Sequence, residues 1–162
     1  MKIATMVRLP VCATLCLVLA PAVPAAAQTT AAKVFSRAEL ESQMQSMEAA
    51  ARQKGSSSAT LGSYDSHKLM LSVRSTTGGA EVHAHFDDIM VVMVGSATLI
   101  TGGQLVDPTT NADGESKGTG IRYGVKQTVA PGDIIHIPAG TPHQLIIPKG
   151  TVFRAFVVKV RE

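Results

Sequence analysis

The sequence contains no tryptophan, and only 4% of its residues are aromatic. A chain this poor in rings offers little surface on which a nucleobase or a sugar could stack. It also lacks any cluster of lysine and arginine, although the formal net charge is +3. Two of the basic residues, Lys2 and Arg8, stand in a segment that we expect to be removed. Nucleic acid and anionic membranes are therefore not expected as partners.

The two cysteines of the sequence, Cys12 and Cys16, both lie in the apolar run 11–20. That run is too short to span a bilayer, which takes about 20 apolar residues. A basic start, two helix-breaking prolines and small residues at 25–27 are typical of a secretory signal cleaved before Gln28. We expect residues 1–27 to be a signal peptide and the mature protein to be periplasmic or secreted, without disulfides. An uncleaved N-terminal anchor is the alternative.

The next segment, 28–57, is expected to hold a polar leader and one helix. Ser36 and Glu39 have the spacing of a capping box, and Gly55 is a natural helix end. Between them, apolar residues recur at helical period, namely Leu40, Met44, Met47 and Ala51. This stripe predicts a helix that packs against the main domain. Helix-mediated dimerisation is the alternative.

From residue 58 to residue 162 the pattern changes to short alternating runs bounded by glycine and proline. In the run 67–74, Leu69, Leu71 and Val73 fall on one face. The polar stretch 106–120 is expected to be an exposed loop. Many short strands with such turns predict one all-β domain, a sandwich or barrel. The other predicted strands are 81–85, 88–94, 97–101, 128–129, 133–137, 144–147 and 152–160.

Two stretches carry candidate chemistry. The first, residues 83–95, begins with His-Ala-His, continues with two aspartates and ends at a glycine. In a strand, histidines two residues apart would share one face. The second, residues 132–143, has a glycine, a Pro-Ala-Gly turn and a histidine. Imidazoles and carboxylates suit divalent transition metals, so the two stretches predict one metal site assembled from two hairpins.

Together these stretches resemble the paired motifs of the cupin family, whose members are small double-stranded β-helix (jelly-roll) barrels. The resemblance covers residues 59–160 and implies a cupin barrel over 58–162. It also implies a divalent transition metal (Fe, Mn, Zn or Ni) held by three histidines and one carboxylate, and a small organic ligand in the barrel. The residues that match the motifs are His83, His85, Gly95, Gly132, Pro138, Gly140 and His143.

The family's glutamate position is occupied by Asp88, which is about one methylene shorter and follows His85 one residue sooner than usual. We expect Asp88 to be the fourth ligand, with a turn carboxylate as the alternative. Asp87 is expected to be a solvated turn residue. His136 is expected to be a strand-face histidine rather than a further ligand. The leading glycine comes one residue late, and the motif's final asparagine is Ile147.

Strand alternation predicts a mostly apolar pocket around a small polar centre. Met90, Val92 and Val94 would share the face of Asp88, and Leu145 and Ile147 that of His143.

Three functions stay open. The resemblance implies a small metalloenzyme, a dioxygenase, isomerase or lyase, without naming catalytic residues other than the ligands. A non-catalytic, metal-dependent binding or sensing barrel exported to the periplasm is the second possibility. A structural barrel without metal is the third, with a homodimer formed through outward residues such as Val91 and Met93.

Overall fold

The computed structural model describes residues 31–162, and the predicted signal peptide, residues 1–27, lies outside the described residues. Val34–Glu162 form one compact unit. Among the described residues, no helix is long and apolar enough to cross a membrane. The elements are α1 (Arg37–Lys54), β1 (Ser56–Ser63), β2 (His67–Arg74), β3 (Ala80–Val82), β4 (Phe86–Val94), β5 (Ala97–Thr101), β6 (Gln104–Val106), β7 (Thr109–Thr110), β8 (Ser116–Gly118), β9 (Gly120–Arg122), β10 (Val125–Val129), β11 (Ile134–Ile137), β12 (His143–Ile146) and β13 (Phe153–Arg161).

Two antiparallel sheets face each other and make a barrel. One has the strand order β1-β2-β13-β4-β11, the other β10-β5-β12-β3-β8-β7, and β6 pairs with β9 in a separate ribbon. Neighbours in the sheets come from distant parts of the chain, as when β13 inserts between β2 and β4. This crossing pattern is a jelly roll. The predicted fold, an all-β cupin barrel preceded by one helix, is confirmed.

Apolar side chains at alternate strand positions fill the space between the sheets. Met90 and Val92 on β4 are buried with Leu145 and Ile147 from the β12 segment, as alternation predicted. Val94 departs from the pattern and is 37% exposed, because it ends the strand just before the turn at Gly95. Gly95 has φ 76°, and a Cβ there would lie 2.3 Å from the carbonyl oxygen of Val152. The motif glycine is therefore required by both backbone conformation and space.

The helix covers the outer face of the first sheet. Its capping box between Ser36 and Glu39 is present, and Gly55 ends it, as predicted. Met44 and Ala51 are fully buried against Leu71 and Val73 of β2, so the predicted apolar stripe packs against the domain. Strand β2 therefore buries one face under the helix and turns the other toward the barrel interior.

The same packing limits the surface that was expected to form a homodimer. Met93 is half-buried and packs against the cluster under the helix. Val91 is half-buried. A homodimer through these residues stays a prediction.

Two stretches whose composition did not indicate strands form strands in part. The serine-rich segment after Gly55 forms β1, which pairs with β2 from Ser56 opposite Arg74 onward. Backbone pairing needs no apolar side chains, and this is why the composition gave no strand signal. The expected loop 106–120 contains β7 and β8 and reaches the start of β9. It adds two strands to the edge of the second sheet.

Truncating Met44 tests the packing of the helix. Met44→Ala should lower the free energy of unfolding by about 2–5 kcal/mol, because the side chain is fully buried and its loss leaves a cavity. Urea denaturation followed by far-UV circular dichroism measures this change. Gln45→Ala, an exposed position on the same helix, is the matched control and should change stability by less than about 0.5 kcal/mol. Equal stability of Met44→Ala and wild type would contradict the packing described.

Candidate metal centre

Backbone hydrogen bonds join the two motif stretches directly. The amide of Gly140 donates to the carbonyl oxygen of His83 at 2.8 Å, and the amide of Ala139 donates to Asp87 Oδ1 at 2.7 Å. The other oxygen of Asp87 lies 2.8 Å from Nε2 of His136. Asp87 is therefore not a solvated turn residue, since it lies in β4 and holds the Pro-Ala-Gly turn in place. His136 is 57% exposed, as expected of a strand-face histidine.

The His-Ala-His sequence does not lie in a strand. Strand β3 ends at Val82 and β4 begins at Phe86, and residues 83–85 form the bend between them. The expectation that His83 and His85 share a strand face therefore fails. His83 turns inward and is 12% exposed, whereas His85 is exposed beside the loop at Gly114.

The side chain that joins His83 on the inner face is Glu81, two residues earlier. Glu81, His83 and His143 each offer one ligand atom, and these atoms lie within 4.8 Å of one another. Within the described part of the chain, it is the one group of three or more histidine, cysteine, aspartate or glutamate side chains that could hold a metal ion. His85 is not brought into it, and its assignment as a ligand stays a prediction.

Asp88 lies against both inward histidines. Its Oδ2 is 3.4 Å from Nε2 of His83 and 3.8 Å from Nε2 of His143. Glu81 Oε2 is 3.8 Å from the same atom of His83. Two donors about 2.1 Å from one ion at a tetrahedral angle stand about 3.4 Å apart, so these separations fit a shared cation. The donor set, two imidazoles and carboxylates, suits zinc, iron, manganese or nickel.

Each inward histidine is oriented by a partner at its other ring nitrogen. Nδ1 of His143 donates to the carbonyl oxygen of Thr141 at 3.0 Å. Nδ1 of His83 makes a hydrogen bond with the carboxylate of Glu115. Because carbonyl and carboxylate oxygens accept the Nδ1 protons, Nε2 of each neutral ring presents a lone pair to the centre. Such outer contacts are typical of metal-binding histidines.

Asp88 also forms an ion pair. It lies on β4 opposite Lys159 of β13, and Nζ of Lys159 donates to Oδ1 at 2.6 Å. Asp88 is only 4% exposed. A buried carboxylate needs such compensation to stay ionised, and Lys159 supplies it from the neighbouring strand.

The surroundings set the protonation of these groups. Burial acts to raise the pKa of Asp88, but His83 and Lys159 together outweigh it and lower that pKa. Burial lowers the pKa of His143, and the hydrogen bond to Thr141 offsets this only in part. For His83, burial acts to lower the pKa, but Asp88 and Glu115 outweigh it and raise it. His143 is thus the more readily available neutral ligand, as metal binding requires.

A cavity of about 210 Å³ opens beside the centre. Glu81, Asp88, His143 and Lys159 line one part of it. The rest of the wall is mainly apolar, with Met70, Met90, Leu145, Phe153, Ala155 and Val157. Its volume lies below the range common for drug-sized ligands, so a molecule bound in it must be small.

Three residues of the site carried no signal that the sequence analysis used. Glu81 is one such residue, and the same period-two rule finds it once the bend is placed at His83. Glu115 belongs to a polar loop, and the turn that aims it is held by Asn111, whose Oδ1 accepts the Glu115 amide at 2.9 Å. Lys159 needed the pairing of β13 with β4. Only a three-dimensional arrangement of the strands brings these residues together.

No protein-family model matches the chain, and no curated protein matches it. Among solved structures it is similar to the polyketide cyclase RemF from Streptomyces resistomycificus, at 23% identity and TM-score 0.49, covering 67% of each chain. It is similar to the DMSP lyase DddQ from Ruegeria pomeroyi at 16% identity and TM-score 0.49, covering 68% of this chain and about half (49%) of the lyase. It is also similar to a Cupin 2 conserved barrel domain protein from Salinispora arenicola, at 17% identity and TM-score 0.46, covering 65% of this chain and 75% of that protein.

The two-sheet jelly roll is the fold that the resemblance of the paired histidine motifs to the cupin family implied.

The contact between Glu115 and His83 gives a direct test of the centre. Glu115→Gln should weaken metal binding about 10- to 100-fold, because an amide holds the imidazole less firmly than a carboxylate and makes it less basic. Titration of the apoprotein with zinc against a competing chelator measures the change. Asp113→Asn, an exposed position in the same loop, is the control and should leave affinity unchanged. Equal affinity of Glu115→Gln and wild type would show that Glu115 does not support a metal ligand.

Proposed function

We propose that this protein is an exported single-domain cupin that binds a divalent transition metal and, beside it, a small organic ligand. The observation that carries the proposal is that Glu81, His83 and His143 bring their ligand atoms within 4.8 Å of one another, with Asp88 Oδ2 3.4 Å from Nε2 of His83. His83 and His143 would hold the ion with Glu81, and Asp88 would be the fourth ligand or would contact a ligated histidine. A bound divalent ion supplies a Lewis acid, and iron or manganese also supplies a redox centre.

The residues of the chain have their own parts in this function. Glu115 and Thr141 fix the two imidazoles, so that neither must reorient when an ion arrives. Lys159 keeps Asp88 ionised and turns its second oxygen toward the histidines. The apolar wall excludes water around the centre, which strengthens electrostatic interactions there. This arrangement suits a metal-dependent dioxygenase, isomerase or lyase, and it suits a binding protein equally.

A barrel without metal is the second candidate, and the ion pair between Asp88 and Lys159 favours it. With Lys159 on one oxygen and His83 near the other, the buried carboxylate has partners within the protein. The chain would then be a ligand-binding or structural cupin whose histidines take part only in hydrogen bonds. Metal content separates the two candidates.

Removing His143 tests the metal proposal. Protein purified without a histidine tag, after growth with iron, manganese and zinc, should contain about one metal ion per chain by mass spectrometry of the elements. His143→Ala should lose it, because the buried ring is the donor most available as a neutral ligand. His136→Ala removes an exposed histidine outside the group and should retain the metal. Wild-type protein free of metal, or His143→Ala with full metal content, would overturn the proposal.

Glu81 and His85 compete for one place in the ligand set. Glu81→Ala should reduce zinc affinity at least tenfold, whereas His85→Ala should leave it unchanged, since only Glu81 lies within the inward group. The same chelator competition measures both variants. The reverse result would mean that His85 is a ligand, as the motif pattern implies, and that Glu81 does not bind the metal.

Export and assembly form a separate part of the proposal. The segment 1–27 is proposed to direct the chain out of the cytoplasm and to be removed, leaving a periplasmic or secreted protein that is proposed to form a homodimer. N-terminal sequencing of the exported protein should begin at Gln28. A chain that retains Met1 would contradict cleavage, and light scattering gives the oligomeric state.

A further inference from the structure

A second cation, Arg74, lines the cavity at the end away from Lys159. On the inner face of β2 it follows Met70 and Ser72 at alternate positions, and all three line the cavity. Arg74 pairs with Phe153 of β13, whereas Lys159, six residues further along β13, pairs with Asp88. Six residues of strand span about 20 Å. The backbone positions of the two cations therefore mark opposite ends of the cavity.

Arg74 is the charge in this cavity that the protein leaves uncompensated. Asp88 is paired with Lys159, and Glu81 faces His83. Within the described part of the chain, no carboxylate lies within 4 Å of the Arg74 guanidinium. The side chain is half-buried and packs over the turn before β3, with Nη1 2.5 Å from the position a Cβ of Gly78 would have. A guanidinium held in place without a partner is suited to a carboxylate.

We propose that the organic ligand of the cavity is a small carboxylic acid whose carboxylate pairs with Arg74. Its uncharged chain lies along the apolar wall and its far end reaches the metal centre. This inference rests on the proposed function. A metal ion at the centre would bind Glu81, and Arg74 would then be the cation that binds an anionic group of the ligand. The wall between the two ends offers Met70, Met90 and Val157, which fit an aliphatic chain and carry no charge.

The dimensions bound the size of this acid. Three residues of extended chain separate Gly78, under the guanidinium, from Glu81, a distance of at most about 11 Å. The cavity of about 210 Å³ equals the volume of about seven waters. A molecule of about eight non-hydrogen atoms, the size of a six-carbon acid, satisfies both limits.

Calorimetric titration of the zinc-loaded protein with hexanoate and with hexanamide tests the inference. The two probes have nearly the same shape and differ in charge. Wild type should bind hexanoate at least tenfold more tightly than hexanamide, because only the carboxylate forms a charge-assisted pair with Arg74. Arg74→Gln should remove this preference while leaving hexanamide affinity within twofold. Arg122→Gln, which changes an exposed arginine on β9, should behave as wild type.

Each other result contradicts the inference. No binding of hexanoate, or equal binding of the two probes by wild type, would overturn it even if Arg74→Gln failed to fold. A preference for hexanoate that survives in Arg74→Gln would mean that the carboxylate binds the zinc or Lys159 instead. Zinc content, measured in the same samples, reports separately on the metal proposal, and the ratio of the two probe affinities reports on Arg74.

Discussion

The site is organised by the need to keep one carboxylate ionised inside an apolar barrel. Asp88 lies among the buried residues of β4, and an unpaired charge there would cost several kcal/mol. Lys159 on the neighbouring strand offsets that cost by donating to one oxygen. The second oxygen is thereby turned toward His83 and His143. Because β13 pairs with both β2 and β4, the strand that supplies the lysine also forms the middle of the sheet.

This constraint connects the fold to the centre. The jelly roll brings His143, at the start of β12, beside His83 from another hairpin, although about 60 residues separate them. The amide of Gly140 then fixes the spacing of the two segments by donating to the backbone of His83. The histidines are therefore positioned by backbone hydrogen bonds, and their rings are oriented by Thr141 and Glu115.

The fold could be predicted from the sequence to a large extent, because its signals are local. The capping box at Ser36 and Glu39 and the apolar stripe through Met44 define the helix, and alternation around Leu71 defines a strand. The serine-rich β1 could not be predicted, since its stability comes from pairing with β2 and not from its own side chains. Strands β7 and β8, which lie in the expected loop 106–120, were missed for the same reason.

The centre could be predicted only in part, for reasons of geometry. The spacing of the motifs identified His83, Asp88 and His143, all of which lie together. His85 lies outside this group, because the period-two rule holds within a strand and the chain leaves the strand at residue 83, and its assignment as a ligand stays a prediction. The same rule, counted back from His83 into β3, leads to Glu81. Motif spacing thus gives the residues that a family shares, while the end of a strand decides which of them face inward.

The two carboxylates beside the inward histidines have different partners within the protein. Asp88 accepts a hydrogen bond from Lys159 on Oδ1, and its Oδ2 faces the inward histidines. Glu81 lies 3.8 Å from His83 and has no hydrogen bond from another side chain within the described residues, so it can move onto an ion at small cost. Glu81 is therefore the carboxylate better suited to direct ligation. Asp88 is better suited to set the local field, with its negative charge balanced by the ammonium group beside it.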